Sequence, residues 1–385
     1  MVSCQFLFNK MYIYFLGSKG FPASTVASGG GVERHVEELA VRLAERGHRV
    51  FVYARSSSTT RGLKIYRGVH IIRLPFVPGK NVATITHIFL STIHVLFQSR
   101  VDIIHYHGIG PGTLAWLPRL FKPRAKIVTT FHSRDRMDPK WSWFAKMYLL
   151  FGEWTALVFP HATIVVSHIL QVFCREFYGR ATIYIPNGAE IVTKAGTDIL
   201  EKFGLDKGKY LLGVGRLVPN KAFDVVIEAY RKVDSSMPFV IAGDSEYAGL
   251  YVEKLMRLAG RDSRIHLLGH QSSAAVSELL AHCYAFVHPS RSEGLSTAVL
   301  EAMAHGKTVI MSDIQENLEL VDHSGIAFPV DNRRALRETL SWVVQDPGML
   351  KNRGRRARQM IARRYTWKSV VKRIEAVYSH LHASS

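Results

Sequence analysis

Ala285-Phe-Val-His-Pro-Ser290-Arg-Ser-Glu293-Gly294-Leu-Ser-Thr297-Ala-Val-Leu-Glu301-Ala-Met-Ala-His-Gly306-Lys-Thr-Val-Ile310 opens on a short apolar run that reads as a buried strand and closes on a second one, Thr308 to Met311. Between them lie a polar loop and a helix of Ala, Leu, Met and Glu that Gly306 ends at a C′ position. This puts Glu293 in the loop leaving a strand and Glu301 well inside the helix that follows. In an open α/β sheet, ligands bind beside the carboxyl ends of strands, where such loops lie. The N–H groups of Gly294, Leu295, Ser296 and Thr297 are helix N-terminal orphans that can donate to an anion.

Two carboxylates bracketing a helix N-terminus suit a ligand with hydroxyls on both sides of a phosphate. A carboxylate only accepts hydrogen bonds, so it pairs naturally with a diol. A sugar nucleotide has that layout: sugar hydroxyls, diphosphate, ribose diol. The plainer reading is that Glu293 favours the helix dipole and Glu301 is a solvated helix residue. On this window alone both readings stand.

Ser290-x-x-Glu293-Gly294, followed by Leu300-Glu301-Ala-Met-Ala-x-Gly306, resembles the paired-glutamate signature of the retaining glycosyltransferases of family 4, which have the GT-B fold. The resemblance implies that Glu293 binds donor-sugar hydroxyls and Glu301 the nucleotide ribose. Two departures stand out. Ser296-Thr297 occupy positions where glycine and a hydrophobe are frequent, and Lys307 stands where an apolar residue often precedes proline.

At 385 residues the chain is too long for one ordinary core, so two domains are expected. Hydrophobic residues at 47% and charged ones at 21% are ordinary for a globular enzyme. Lys+Arg 50 against Asp+Glu 31 gives +19, a bias toward anionic partners that does not choose among nucleic acid, membrane surface and phosphorylated substrate. Cys4, Cys174 and Cys283 show no C-x-x-C spacing, which suggests reduced thiols in a cytoplasmic setting and no zinc site. No apolar run approaches the roughly 20 residues of a membrane helix. Val82 to Gln98, interrupted by His, Thr and Ser, reads as a packed helix. Met1 to Gly17 lacks the basic start and cleavage site of a signal peptide, and Met11 to Gly17 reads as the first strand.

That strand leads into Gly17 to Pro22, the glycine run Ser28-Gly-Gly-Gly31, and a helical face at Val32, Val36, Leu39, Ala40 and Leu43. Val50 to Tyr53 resumes as strand, giving a unit of the doubly wound kind. Glycines before a helix let backbone approach a phosphate, although a lone glycine run is usually just a turn. Because the loop also resembles the glycine-rich loop of family 4, Gly30 and Gly31 are candidates for contacting the donor phosphate. Strands ending at His107 and His132 follow, and the resemblance makes His132 the preferred contact to the donor sugar, with His107 behind it. Trp116 to Lys126 interleaves bulky apolar and basic side chains; this suits the headgroup boundary of an anionic membrane and equally a solvated basic edge. Trp141 to Phe159 is aromatic and helical in period, with core packing its expected role.

Pro186-Asn-Gly188 is a strong turn signal near the expected division. Past it, a strand is followed by Arg216 and, five residues on, Lys221, a guanidinium fork and a point charge for one anion. Gly215-Arg-Leu-x-x-x-Lys221 resembles the family's diphosphate clamp, and Gly269 falls where the nucleobase packs. Pro347 to Ile374 carries ten basic residues and no acid in an amphipathic pattern. Tyr365-Thr-Trp367 resembles the family's final segment returning to the first domain. Gly306-Lys-Thr308 is no P-loop, since Glu301 stands where that motif needs glycine.

The expected architecture is therefore α/β, GT-B, with two Rossmann-like doubly wound domains facing across a cleft. Residues 1–190 form the acceptor side, 191–365 the nucleotide-sugar domain, and 366–385 a helix packing back on the first. The resemblance implies metal-independent retaining transfer from a UDP- or GDP-sugar to a lipid-linked or saccharide acceptor, with no cofactor. An enzyme of cell-envelope polysaccharide or glycolipid biosynthesis is expected, cytoplasmic and peripheral at the inner face of the plasma membrane, without nucleic acid. A sugar-nucleotide epimerase of the same fold, a pyridoxal-dependent phosphorylase and a basic nucleic-acid-binding protein are the alternatives.

Overall fold

The computed structural model describes residues 10–23, 30–79, 82–134, 136, 141–244, 249–321 and 324–384. The chain divides into two compact units, Met1–Ile185 with Val370–Ser385, and Pro186–Ser369. The cuts thus fall at 185/186 and 369/370, a few residues from the sequence expectation.

In the first unit the order is β1 (Tyr12–Leu16), α1 (Gly31–Glu45), β2 (Arg49–Arg55), β3 (Ile65–Tyr66), β4 (Val69–Leu74), α2 (Val82–Leu96) and β5 (Ile103–His107). Next come α3 (Ile109–Gly112), α4 (Trp116–Phe121), β6 (Lys126–Phe131), α5 (Trp143–Val158), β7 (Ala162–Val165), α6 (His168–Tyr178) and β8 (Ile183–Tyr184). The strands form one sheet in the order β3-β4-β2-β1-β5-β6-β7-β8. Every pairing is parallel except β3 with β4. β1 and β5 are buried along almost their whole length, as strands covered on both faces are.

The second unit holds α7 (Asp198–Phe203), β9 (Leu211–Val214), α8 (Phe223–Tyr230), β10 (Phe239–Ala242), α9 (Gly249–Ala259), β11 (Ile265–Leu267) and α10 (Ser273–His282). It continues with β12 (Ala285–His288), α11 (Thr297–Ala304), β13 (Val309–Ser312), α12 (Gln315–Val321), β14 (Gly325–Phe328), α13 (Arg333–Gln345) and α14 (Pro347–Arg364). Its sheet is all parallel in the order β11-β10-β9-β12-β13-β14. In each sheet the strand order reverses at one place, between β1 and β5 in the first and between β9 and β12 in the second. Those switch points leave a crevice at the carboxyl ends of the strands.

The last helix, α15 (Trp367–Ala383), begins in the second unit and ends in the first. At its start Trp367 lies so close to Gly188 that a Cβ there would meet the indole at 2.6 Å, which is why the Pro-Asn-Gly turn needs its glycine. Farther on, Glu375 accepts from Arg46 Nε (2.8 Å) and lies 2.9 Å from His48 Nε2, all within the first unit. Tyr378 is fully buried, its hydroxyl 2.5 Å from His105 Nδ1.

Two helices leave large apolar side chains exposed. α5, expected in the core, turns its large side chains outward: Trp143 is 67% exposed, Phe144 78% and Phe151 49%. Leu149 and Leu157 are buried, but between them the inner face is small where α3 comes too close for anything larger. A Cβ on Gly152 would meet Thr113 Oγ1 at 2.8 Å, and one on Gly112 would meet Ala156 Cβ at 2.8 Å. α2, packed as expected through Ile88 and Val95, also buries His87, Ser91 and Thr92 while leaving Val82, Ile85, Phe89 and Leu90 exposed. Periodicity had reported the helices correctly but not which face the sheet would take.

Candidate active site

The second unit's switch point carries the site. β9 ends in Gly215-Arg216 and runs through a 3₁₀ turn, Pro219–Lys221, that Ala222 closes at φ +52°. β12 ends in His288 and leads through Ser290 to Glu293. The two loops are stitched together: Arg291 N donates to Asn220 O (2.9 Å), and Asn220 Nδ2 donates to Ser292 O (3.0 Å). The Arg291 guanidinium also binds Asp331, 2.7 Å away. This fastening brings the Lys221 ammonium onto Glu293 Oε1, while His288 Nε2 donates to the same oxygen at 2.9 Å. Glu293 Oε2 accepts nothing among the described residues and is open to an external hydroxyl.

Burial pushes the Glu293 carboxyl up, but the Lys221 charge and the His288 hydrogen bond outweigh it and hold the group well below the usual carboxylate range. His288 is buried, which pushes its ring down, and Glu293 only partly restores it. The centre is thus a fixed carboxylate against an ammonium. The Lys221 stem passes Gly215, with its Cδ 3.8 Å from where a Cβ would stand, so its charge lies beside the backbone that carries Arg216. Arg216 is exposed and makes no ion pair among the described residues.

α11 starts four residues after Glu293. Ser296 caps it, its Oγ accepting from Val299 N at 3.4 Å. Asn187 Nδ2 donates to Leu295 O (2.7 Å), fixing the loop from the other side. The N–H groups of Gly294, Leu295, Ser296 and Thr297 meet no backbone acceptor among the described residues. Glu301 lies on the same helix, half-buried, its carbonyl accepting from His305 N at 3.1 Å. Gly269 has φ +67°, and its carbonyl accepts from Gly243 N at 2.9 Å, tying together the loops after β10 and β11. Glu293, Lys221 and residues 294–297 are therefore gathered at one place, with Arg216 and Glu301 on the elements beside it.

The remaining expected residues belong to the first unit's switch point. Gly30 N donates to Glu33 Oε2 (2.8 Å) and Gly31 begins α1; Ser28 and Gly29 lie outside the described residues. One turn into α1, His35 packs edge-on against His132, ring centroids 4.9 Å apart. His107 Nδ1 lies 3.3 Å from His132 Nε2. Ring nitrogens of His35, His107 and His132 all fall within 4.8 Å of one another, a set that could also close on a transition-metal ion. His105 is instead structural, with Nε2 2.7 Å from Thr130 Oγ1 and Nδ1 on Tyr378.

Burial drives His105, His107 and His132 well below the ordinary histidine value, and it brings His87 to about 4. A base whose folded pKa is depressed stays neutral in the fold while the unfolded chain takes the proton. Stability is therefore full above the unfolded value of about 6.5 and falls as pH drops toward the folded values. Each such histidine should cost about 1.4 kcal/mol per pH unit in that window. A melting series from pH 7.5 to pH 5 should show the loss beginning near pH 6.5; a flat series would contradict the neutral cluster.

Two family models match the chain side by side. Glycosyltransferase Family 4 matches residues 29–191, and Glycosyl transferases group 1 matches residues 197–360. The chain belongs to the family 4, group 1 glycosyltransferases. Full-length relatives agree. A phosphatidyl-myo-inositol mannosyltransferase of Mycobacterium tuberculosis is 27% identical over 92% of this chain and 94% of its own. The gpi3 subunit of the Schizosaccharomyces pombe phosphatidylinositol N-acetylglucosaminyltransferase is 24% identical over 91% of this chain and 78% of its own. Sucrose-phosphate synthase of Thermosynechococcus elongatus superposes with a TM-score of 0.86 at 19% identity, covering 98% of this chain and 100% of its own. Anabaena HepE with UDP and glucose superposes at 0.80, 20% identical, covering 96% of this chain and 99% of its own. These likenesses give the glycosyltransferase its GT-B fold.

Sequence reasoning about this glycosyltransferase passed over His288, Asn220 and Asn187. His288 carried the one usable signal, a polar residue closing an apolar strand, which is the pattern that singled out His132.

Proposed function

We propose that this glycosyltransferase moves a sugar from a UDP- or GDP-sugar to a lipid-linked acceptor, or failing that a saccharide, with retention at the anomeric carbon. The observation that carries the reading is the buried Lys221–Glu293–His288 group at the β9/β12 switch point, one residue from a run of free amides. In it, Glu293 takes sugar hydroxyls on its open oxygen, with its position fixed by Lys221 and His288. Arg216, Lys221 and the amides of 294–297 receive the charge that grows on the departing diphosphate, the effect that lowers the barrier most. Glu301 takes the ribose diol and Gly269 the base. In the first unit, His132 contacts the sugar, and Gly30 and Gly31 approach the donor phosphate. The leaving phosphate accepts the acceptor's proton on the same face, so no protein nucleophile, metal ion or cofactor is needed. The relatives named for phosphatidylinositol substrates support a lipid acceptor, and the HepE complex with UDP and glucose supports the donor class. The basic balance of +19 supports work at the inner face of the plasma membrane.

A panel of nucleotide sugars screened for thermal stabilisation, then for transfer and hydrolysis with and without EDTA, tests this reading. One donor at a hundred times its Kd should stabilise the chain by about 2.7 kcal/mol. Transfer should survive EDTA; loss would turn attention to the three histidines. Free epimerised sugar released without an acceptor would favour the epimerase alternative.

A further inference from the structure

We propose that α2 and α5 together form a membrane-seating face on the first unit, one that lies in the interfacial plane of an anionic bilayer. Its purpose rests on the lipid-acceptor reading above, but its evidence is separate. Both helices expose more large apolar side chains than they bury. α2 turns His87, Ser91 and Thr92 into the protein beside Ile88 and Val95, with Thr92 Oγ1 3.1 Å from the Tyr106 hydroxyl, and presents Val82, Ile85, Phe89 and Leu90 outward, Phe97 being exposed just past its end. α5 buries Gly152, Thr155 and Ala156 together with Leu149 and Leu157, and presents Trp143, Phe144, Met147, Phe151 and Trp154. Their spacing of i, i+1, i+4, i+8 and i+11 is one continuous stripe. Both helices pack on α3, so the two stripes belong to the same side of the sheet.

A water-facing helix presents polar side chains; this pair presents tryptophan and phenylalanine instead. At 16 residues α5 is short of the roughly 20 needed to cross a bilayer, and no helix among the described residues is long and apolar enough to do so. It therefore lies in the surface. The charge around it selects the lipid. From Val82 to Lys126 the only acid is Asp102, occupied by Tyr12 N at 2.7 Å. Arg100, Arg119, Lys122 and Arg124 follow α2 along the chain, and Lys122 Nζ fastens to Leu96 O (3.0 Å) and Gln98 O (2.6 Å) beside Phe97. α4 adds Leu120 and Phe121, both exposed, between these cations. On α5 itself the single acid, Glu153, is buried against Arg136 and Tyr178. Exposed aromatic rings together with a basic stretch whose one acid is occupied match an anionic headgroup layer.

Flotation with vesicles of phosphatidylcholine and phosphatidylglycerol in equal parts, and with phosphatidylcholine alone, tests the face. The intact chain should float with the anionic vesicles and stay partly bound at high salt, because inserted rings are not screened. Phe144→Glu/Phe151→Glu, both at exposed positions, should cut binding at least about tenfold. The variant should keep the wild-type melting temperature and donor hydrolysis in vesicle-free buffer. Failure of the intact chain to float, or undiminished flotation of the variant, overturns the proposal while donor hydrolysis still reports on the transfer reading. An intact chain that is dimeric in solution and becomes monomeric in the variant also overturns it, by showing that a second copy covers the stripe.

Discussion

Lys221→Ala should lower kcat/KM for transfer by about a hundredfold or more, the usual effect of deleting one group that stabilises a developing anion. It should also loosen the fold, because Lys221 is the counter-charge of a carboxylate only 12% exposed. Removing one partner of a buried ion pair leaves the other uncompensated, at about 3–5 kcal/mol. With the ammonium gone, the burial that now loses to Lys221 would drive the Glu293 carboxyl upward. Glu293→Gln should be as inactive, since an amide cannot hold both sugar and ammonium as the carboxylate does. Combining the two changes should return most of the lost stability and none of the activity. Urea unfolding and initial rates on all three variants separate the effects, and wild-type turnover in either single variant would refute the assignment.

Gly243→Ala should be the most damaging single-methyl change near the site. Gly243 has φ +154°, and a Cβ there would stand 1.8 Å from the Gly215 carbonyl oxygen, which is backbone and cannot swing aside. The loops after β9 and β10 are pressed together, and Gly243 N is committed to Gly269 O at 2.9 Å. Relieving the overlap must move the stretch that presents Arg216. A loss of at least about 4 kcal/mol is expected, among the largest for a point change, together with loss of donor-induced stabilisation. Gly215→Ala is the control, because its nearest neighbour would be Phe223 Cε2 at 3.7 Å, ordinary contact. If Gly243→Ala melts and turns over as well as Gly215→Ala, the close approach is not real.

Much of the second unit could be read in the sequence because its signals are local. Glu293, Gly294 and Glu301 sit at fixed offsets from a strand end and a helix start, and Gly306 ends that helix at φ +73°. What could not be read was which residues distant along the chain would meet. Arg216 and Lys221 formed one clamp by spacing, yet in the fold Lys221 turns to Glu293 while Arg216 stays exposed. The partner role of His288 depends on a loop stitched by Asn220, 68 positions earlier, and no periodicity reports that. α5 failed for a related reason. Its period named a helix, but only the close approach of Gly112 and Gly152 decides that the aromatic side faces out.

The course of α15 has a consequence for the nascent chain. Glu375 and Tyr378 are late pieces of the first unit: one holds Arg46 and the buried His48, the other fills the space beside His105. Translation delivers them only after the whole second unit has emerged. The lobe synthesised first is accordingly the lobe finished last, and until the ribosome has passed residue 378 its core remains one ring short.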